Sequence, residues 1–278
     1  MKLGVNTLIW GAAFGRSDFF LLPGIKDAGF DGVELPIFDP GAFDADAVGR
    51  ELDRIGLERT AVTIVPGGLS LGSSDAAIRQ RAKDHLKSCI ASVRDLGATL
   101  LSGPMYMPVG HLTGRRRTAE EWHWVVDSWH DLSRSVTAAG IEIGIEPLNR
   151  FETYFLNTVA DAADLCAAIA VPSIGILFDT FHANIEEKSI ADALRLAAPH
   201  LKHVHTCEND RGIPGSGHVA WPDVFRAIAE IGYDRWLTIE SFGFAQGPLS
   251  AAAAIWRDLA VTPDAIAFEG VRFLRSQL

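Results

Sequence analysis

The stretch Ala138-Ala-Gly-Ile-Glu-Ile-Gly-Ile-Glu146 holds a helix end, a glycine and a strand within nine residues. Glycine just past a helix takes the left-handed conformation that closes the last turn, so Gly140 marks the boundary. Beyond it, a period of two puts Ile143 and Ile145 on one face of a strand and Gly144 and Glu146 on the other. The same device recurs around Gly29, Gly56, Gly97 and Gly232. Working outward from these junctions, the apolar runs predict strands over Leu3–Trp10, Gly32–Phe38, Arg59–Val65, Thr99–Tyr106, Glu142–Asn149, Ile174–His182, Leu201–Asn209 and Trp236–Phe242, with helical stretches between them. Strand–helix alternation with right-handed crossovers makes a parallel sheet, and eight such units predict closure. The expected fold is therefore α/β, a single (β/α)8 TIM barrel covering residues 1–278 as one domain. An open doubly wound sheet fits less well. Its first strand usually leads into Gly-x-Gly-x-x-Gly, whereas this chain has Trp10-Gly-Ala-Ala-Phe-Gly15.

Four of the strands carry an acid or an imidazole at the carboxyl end: Glu146, Asp179, His205 and Glu240. Parity turns each of them inward. Leu237 and Ile239 face the helices while Thr238 and Glu240 face the interior, and Lys202 and Val204 oppose His203 and His205. Taken singly, each residue has an ordinary explanation: Asp179 can cap the turn that follows it, and His203 or His205 can be a hydrogen-bonded interior histidine. For His203, one layer deeper, that explanation is retained. Together, the four groups would bury like charge at a cost on the order of several kcal/mol per uncompensated ion unless a cation sits among them. Three carboxylates and one imidazole suit Mn²⁺, with Co²⁺ or Mg²⁺ as alternatives, better than a thiolate-seeking ion.

The formal net charge of −10, with Arg115-Arg116-Arg117 as the basic cluster, disfavours a nucleic-acid partner, because that affinity comes from Lys and Arg neutralising phosphates. The three cysteines, Cys89, Cys166 and Cys207, lack paired spacing and fit a reducing compartment. Met1-Lys2-Leu3 runs directly into a strand, and no apolar run reaches membrane-spanning length. The expectation is a soluble cytoplasmic protein with no membrane partner. The loop Gly212–Gly217 is glycine-rich but lacks the Lys-Ser/Thr ending of a phosphate-binding loop, and reads as a tight turn carrying Arg211 over the site. Trp10, Phe14, Trp221 and Trp256 are candidates for either a pocket wall or the core.

Particular stretches of the chain resemble the D-tagatose 3-epimerase and D-psicose (D-allulose) 3-epimerase family, the ketose 3-epimerases of the xylose-isomerase-like barrels. They are Ile145-Glu-Pro-Leu-Asn-Arg-Phe-Glu-Thr-Tyr154, Phe178-Asp-Thr-Phe-His182, His205 with Arg211-Gly-Ile-Pro-Gly-Ser-Gly-His-Val219, and Ile239-Glu-Ser-Phe242. The resemblance implies that Glu146, Asp179, His205 and Glu240 ligate the metal and that Glu146 and Glu240 are the catalytic proton-transfer pair. It implies that Glu152, His182 and Arg211 bind the O1 and O2 end of a free ketose. It also implies a homodimer or homotetramer. The residues facing O4 to O6 vary within that family and do not carry over.

The implied reaction accounts for this inventory. Inverting C3 of a ketose requires taking a proton from beside the C2 carbonyl and returning one to the opposite face. That calls for two carboxylates and for a Lewis acid to stabilise the enediolate. A hydroxypyruvate isomerase, an aldose–ketose isomerase or an inosose dehydratase of the same superfamily would use a similar site; the Arg211 loop and Asn149-Arg-Phe-Glu152 favour the epimerase. Barrel endonucleases use more histidines and several zinc ions. A non-catalytic sugar binder has no need for two glutamates flanking one ligand.

Overall fold

All eight expected strands form, each parallel to its sequence neighbours, and the first pairs with the last to close the barrel. The structure is a computed structural model that describes residues 1–243 and 248–278. Its strands are β1 (Lys2–Asn6), β2 (Gly32–Pro36), β3 (Glu58–Val62), β4 (Leu100–Gly103), β5 (Glu142–Ile145), β6 (Ile174–Asp179), β7 (Leu201–His205) and β8 (Trp236–Ile239). Each leaves the sheet before its apolar run ends. The run to Trp10 departs after Asn6, and the run to Asn149 departs after Ile145. Several of those trailing residues, Leu8, Phe38, Ile64 and Leu148 among them, line a cavity, which periodicity alone does not distinguish from pairing.

Around the barrel lie α1 (Leu21–Ala28), α2 (Ala45–Ile55), α3 (Ala76–Leu96), α4 (Ala119–Ala139), α5 (Val159–Ile169), α6 (Thr180–Glu186), α7 (Ile190–Ala197), α8 (Trp221–Glu230), α9 (Pro248–Ala253) and α10 (Pro263–Gln277). The five glycines read as helix ends all have positive φ, from 94° at Gly29 to 65° at Gly232. Outward-facing Ile143, Ile145, Leu237 and Ile239 are completely buried under the helices. Burying each contributes on the order of 1.5–3 kcal/mol.

The interior is less usual. Barrel lumens are commonly filled by bulky branched side chains, yet here Asn6, Glu34, Thr60, Ser102, His203 and Thr238 are all buried within it. Gly175 has its own role at the amino end of β6. A Cβ there would lie 2.0 Å from the His200 carbonyl, so only glycine permits the approach of β6 to the chain entering β7. Just beyond it the register shifts between Ile176 and Leu177, after which Asp179 stands level with His205.

Candidate active site

Glu146, Asp179, His205 and Glu240 converge at the carboxyl end of the barrel, where such folds build their sites. One ligand atom from each lies within 4.8 Å of all the others, and all four residues are buried. Asp179 divides its two oxygens. Oδ1 accepts the Phe181 backbone N–H at 2.7 Å and so caps α6, while Oδ2 faces His205 Nδ1 at 3.9 Å and Cys207 Sγ at 3.4 Å. The capping reading of this residue holds, and its second oxygen is left facing the cluster.

His205 is fixed from behind. Its Nε2 lies 2.7 Å from Glu34 Oε1, so Nε2 carries a proton and Nδ1 faces the carboxylates, 3.6 Å from Glu240 Oε2. His205 Nδ1 and Glu146 Oε1 are buried atoms with no hydrogen-bond partner among the described residues. Buried polar atoms are nearly always satisfied, and two such orphans aimed into one acidic cluster fit a divalent cation. So does the donor set, oxygen-rich with a single imidazole nitrogen.

The two glutamates sit in different fields. Burial and the neighbouring Glu240 push the Glu146 carboxyl well above its ordinary range. Burial would raise Glu240 as well, but His205 and Arg211 hold it below. Asp179 is pushed up to about 6 by burial and by Glu240. Carboxyls whose environments separate them in this way are suited to acid and base roles.

A second group of side chains faces the first. Arg211 is buried between the rings of Phe181 and Phe242, with its guanidinium carbon 4.2 and 4.5 Å from their centres. Its Nη1 lies 3.2 Å from Glu240 Oε2, and its Nη2 lies 3.4 Å from His182 Nε2 and 3.7 Å from Glu152 Oε1. The backbone at Arg211 is left-handed, with φ of 62°, a strain on the order of 1–2 kcal/mol for a residue with a Cβ. Ser241 Oγ, donating to the Arg211 carbonyl at 2.6 Å, holds it there. His182 Nδ1 accepts from the Asn149 backbone N–H at 3.1 Å and Asn149 Nδ2 at 2.9 Å. Its proton therefore sits on Nε2, 3.5 Å from Glu146 Oε1. Burial, with Arg211 nearby, keeps this imidazole neutral by lowering it well below its ordinary range.

The loop that carries Arg211 is built around an internal anion. Glu208 Oε1 accepts from the backbone N–H groups of Asn209 and Val219, both at 3.0 Å. Its Oε2 accepts from the Gly215 N–H at 2.8 Å and Trp221 Nε1 at 2.9 Å. The Gly212–Gly217 loop is therefore a turn folded about a carboxylate, as its sequence predicts.

Glu146, Glu152, His182, Arg211 and Glu240 all line one cavity, whose other wall is apolar and includes Leu8, Phe38, Val62, Ile64 and Pro104. The four converging acid and imidazole side chains thus come from the ends of β5 to β8, and much of the apolar wall from the ends of β1 to β4, with Leu148, Phe242 and Leu249 completing it. Sequence reading placed the polar set but not this wall. None of the four aromatics it offered lines the cavity. Trp10 donates to Asp264 at 2.6 Å, Phe14 packs on Phe19, Trp221 binds Glu208, and Trp256 is exposed. Glu34 was missed as well, although an acid in the apolar run Gly32-Val-Glu-Leu-Pro36 is a readable signal. The basic run is spent on the fold: Arg115 pairs with Glu121 and Arg117 with Asp161, both at 2.7 Å.

A (β/α)8 barrel gathering three acids and an imidazole over an apolar-walled cavity defines the xylose isomerase-like class, and that TIM barrel family matches residues 24–277. The chain belongs to this family and, within it, to the ketose 3-epimerases; it is a carbohydrate epimerase of the isomerase class. It is 35% identical over 275 residues to a probable ketose 3-epimerase of Synechocystis sp., covering 99% of this chain and 96% of that one. It is 30% identical to a ketose 3-epimerase of Arthrobacter globiformis, covering 100% and 97%. Among solved structures, the D-allulose 3-epimerase of Methylomonas sp. in complex with D-allulose superposes with a TM-score of 0.95 at 26% identity, covering 100% and 97%. Among the described residues, no helix is long and apolar enough to cross a membrane.

Proposed function

We propose that the protein interconverts free ketoses at C3 with the help of one divalent ion, Mn²⁺ being favoured, held by Glu146, Asp179, His205 and Glu240. The observation that carries this reading is the convergence of two glutamates from β5 and β8 on one cavity, together with the orphaned His205 Nδ1 and Glu146 Oε1. A bound divalent ion supplies Lewis acidity toward negative charge developing on the C2 oxygen. The protein's own groups do the rest. Glu240, held ionised by its neighbours, takes the C3 proton of one epimer. Glu146, protonated from solvent for that turnover, returns a proton on the other face, and the roles exchange in reverse. Arg211 and the Nε2–H of His182 donate toward the C1–C2 end, where negative charge grows, and Glu152 accepts from the O1 hydroxyl.

Three sugar pairs fit this chemistry: D-fructose with D-psicose, D-tagatose with D-sorbose, and L-ribulose with L-xylulose. An unphosphorylated substrate is favoured because Glu208 already fills the ring of backbone N–H groups that a phosphate would seek. The test is turnover of free ketohexoses and ketopentoses, and of their phosphate esters, by chelated protein with and without added Mn²⁺. C3 epimers of the free sugars are expected only after the metal is restored. Full activity after chelation, or a strong preference for the ester, would reject the proposal.

A further inference from the structure

A second buried cluster lies one layer beneath the first, made of Glu34, His203 and His205. Its three side chains are spaced closely enough to resemble another metal site, but the acceptor positions of Glu34 are already filled. Oε1 faces His205 Nε2 at 2.7 Å and accepts from Asn6 Nδ2 at 3.0 Å. Oε2 accepts from Thr60 Oγ1 at 3.1 Å and Ser102 Oγ at 3.3 Å, while His203 Nε2 lies 2.9 Å from it without hydrogen-bond geometry. A carboxylate offers about four lone-pair sites, which leaves none for an ion.

We propose that Glu34 is a positioning residue. It holds the imidazole of His205 in the orientation and tautomer that present Nδ1 to Glu146, Asp179 and Glu240, and the cluster itself binds no metal. The geometry fixes a proton on His205 Nε2. A proton moved to Nδ1 would leave Nε2 and Glu34 Oε1 facing each other as two acceptors at 2.7 Å, inside a lumen with no exposed surface. Asn6 reinforces the arrangement by bridging the two layers, with its Nδ2 also 3.5 Å from Glu240 Oε1. Partners behind a metal-bound histidine commonly matter 10- to 100-fold in metal affinity.

This inference rests on the metal reading above, so the experiment separates the two. Mn²⁺ titrated calorimetrically into the metal-free parent tests that reading: one ion per chain is expected, and no binding would reject it. The ratio between parent and Glu34→Gln tests this one. Gln keeps the shape but turns an N–H₂ toward donors, and its Mn²⁺ dissociation constant is expected to rise tenfold or more, with Glu34→Asp falling between the two. A change of less than tenfold in Glu34→Gln would overturn the proposal, as would two ions per parent chain. The ¹⁵N spectrum of the Zn²⁺-loaded parent gives a separate readout. A proton on His205 Nε2 is expected, and a proton on Nδ1 would overturn the assignment even if Glu34→Gln does not fold.

Discussion

The Glu208 carboxylate accepts the backbone N–H of Val219, eleven residues further along, at 3.0 Å, and this one contact ties the start of the Arg211 loop to its end. Glu208→Gln replaces one acceptor oxygen by a donor against N–H groups that have no other partner. A loss of about 1–3 kcal/mol in unfolding free energy is expected for a buried polar group left unpaired, read by denaturant titration. Because Arg211 rides on this loop, kcat/KM should also fall, by on the order of 100-fold if the guanidinium shifts by an ångström. Unchanged stability and unchanged kinetics together would mean that the carboxylate does not organise the loop.

Metal content gives the second prediction. Elemental analysis should find one divalent ion per chain, and saturating Mn²⁺ at 100 times its dissociation constant should stabilise the fold by about 2.7 kcal/mol. His205→Ala removes the nitrogen donor and should abolish that thermal shift at the same Mn²⁺ concentration. A shift of parental size in the variant would exclude His205 as a ligand.

Proton transfer gives the third. Turnover in heavy water should place deuterium at C3 of the product, because the proton removed and the proton delivered belong to different carboxyls. Glu146→Gln and Glu240→Gln, each reloaded with Mn²⁺, should lose epimerisation by at least 10³-fold while each still exchanges the C3 hydrogen of only one epimer, in line with the usual contribution of a positioned acid or base. Product without solvent deuterium would point to a hydride shift.

The fourth concerns pH. Metal binding needs the deprotonated form of each carboxyl ligand. Asp179 is held up to about 6 by burial and Glu240, and Glu146 is pushed well above its ordinary range by burial and Glu240. Lowering the pH through 6 protonates Asp179 and must weaken the metal. Between pH 8 and pH 5, Mn²⁺ affinity should drop at least tenfold, and calorimetry in buffers of different ionisation enthalpy should report net proton release at pH 7. Affinity that is flat across that range would contradict the assignment of these two ligands.

The barrel and its converging side chains were legible because both obey short periods. The glycines past five of the helices marked strand starts, and a period of two turned Glu146, Asp179, His205 and Glu240 inward. What escaped was set by distance in sequence. Glu34 meets His205 across 171 residues, and nothing local to β2 says that its acid faces a histidine of β7. The apolar wall was hidden for a different reason. Leu8, Phe38 and Ile64 look like the ends of strands, and only the observed end of pairing shows that they face a cavity.

The division of that cavity between the two halves of the barrel bears on how such a protein can change. The converging acids and imidazole hang from β5 to β8, while much of the apolar wall opposite them hangs from β1 to β4. Inheritance can act on these halves separately. A substitution at Phe38 or Ile64 alters which molecule fits without disturbing any residue of the four-ligand cluster. Selection for a new sugar can therefore explore one side of the barrel while the other keeps the reaction intact, and a library restricted to the ends of the first four strands would sample specificity at little risk to chemistry.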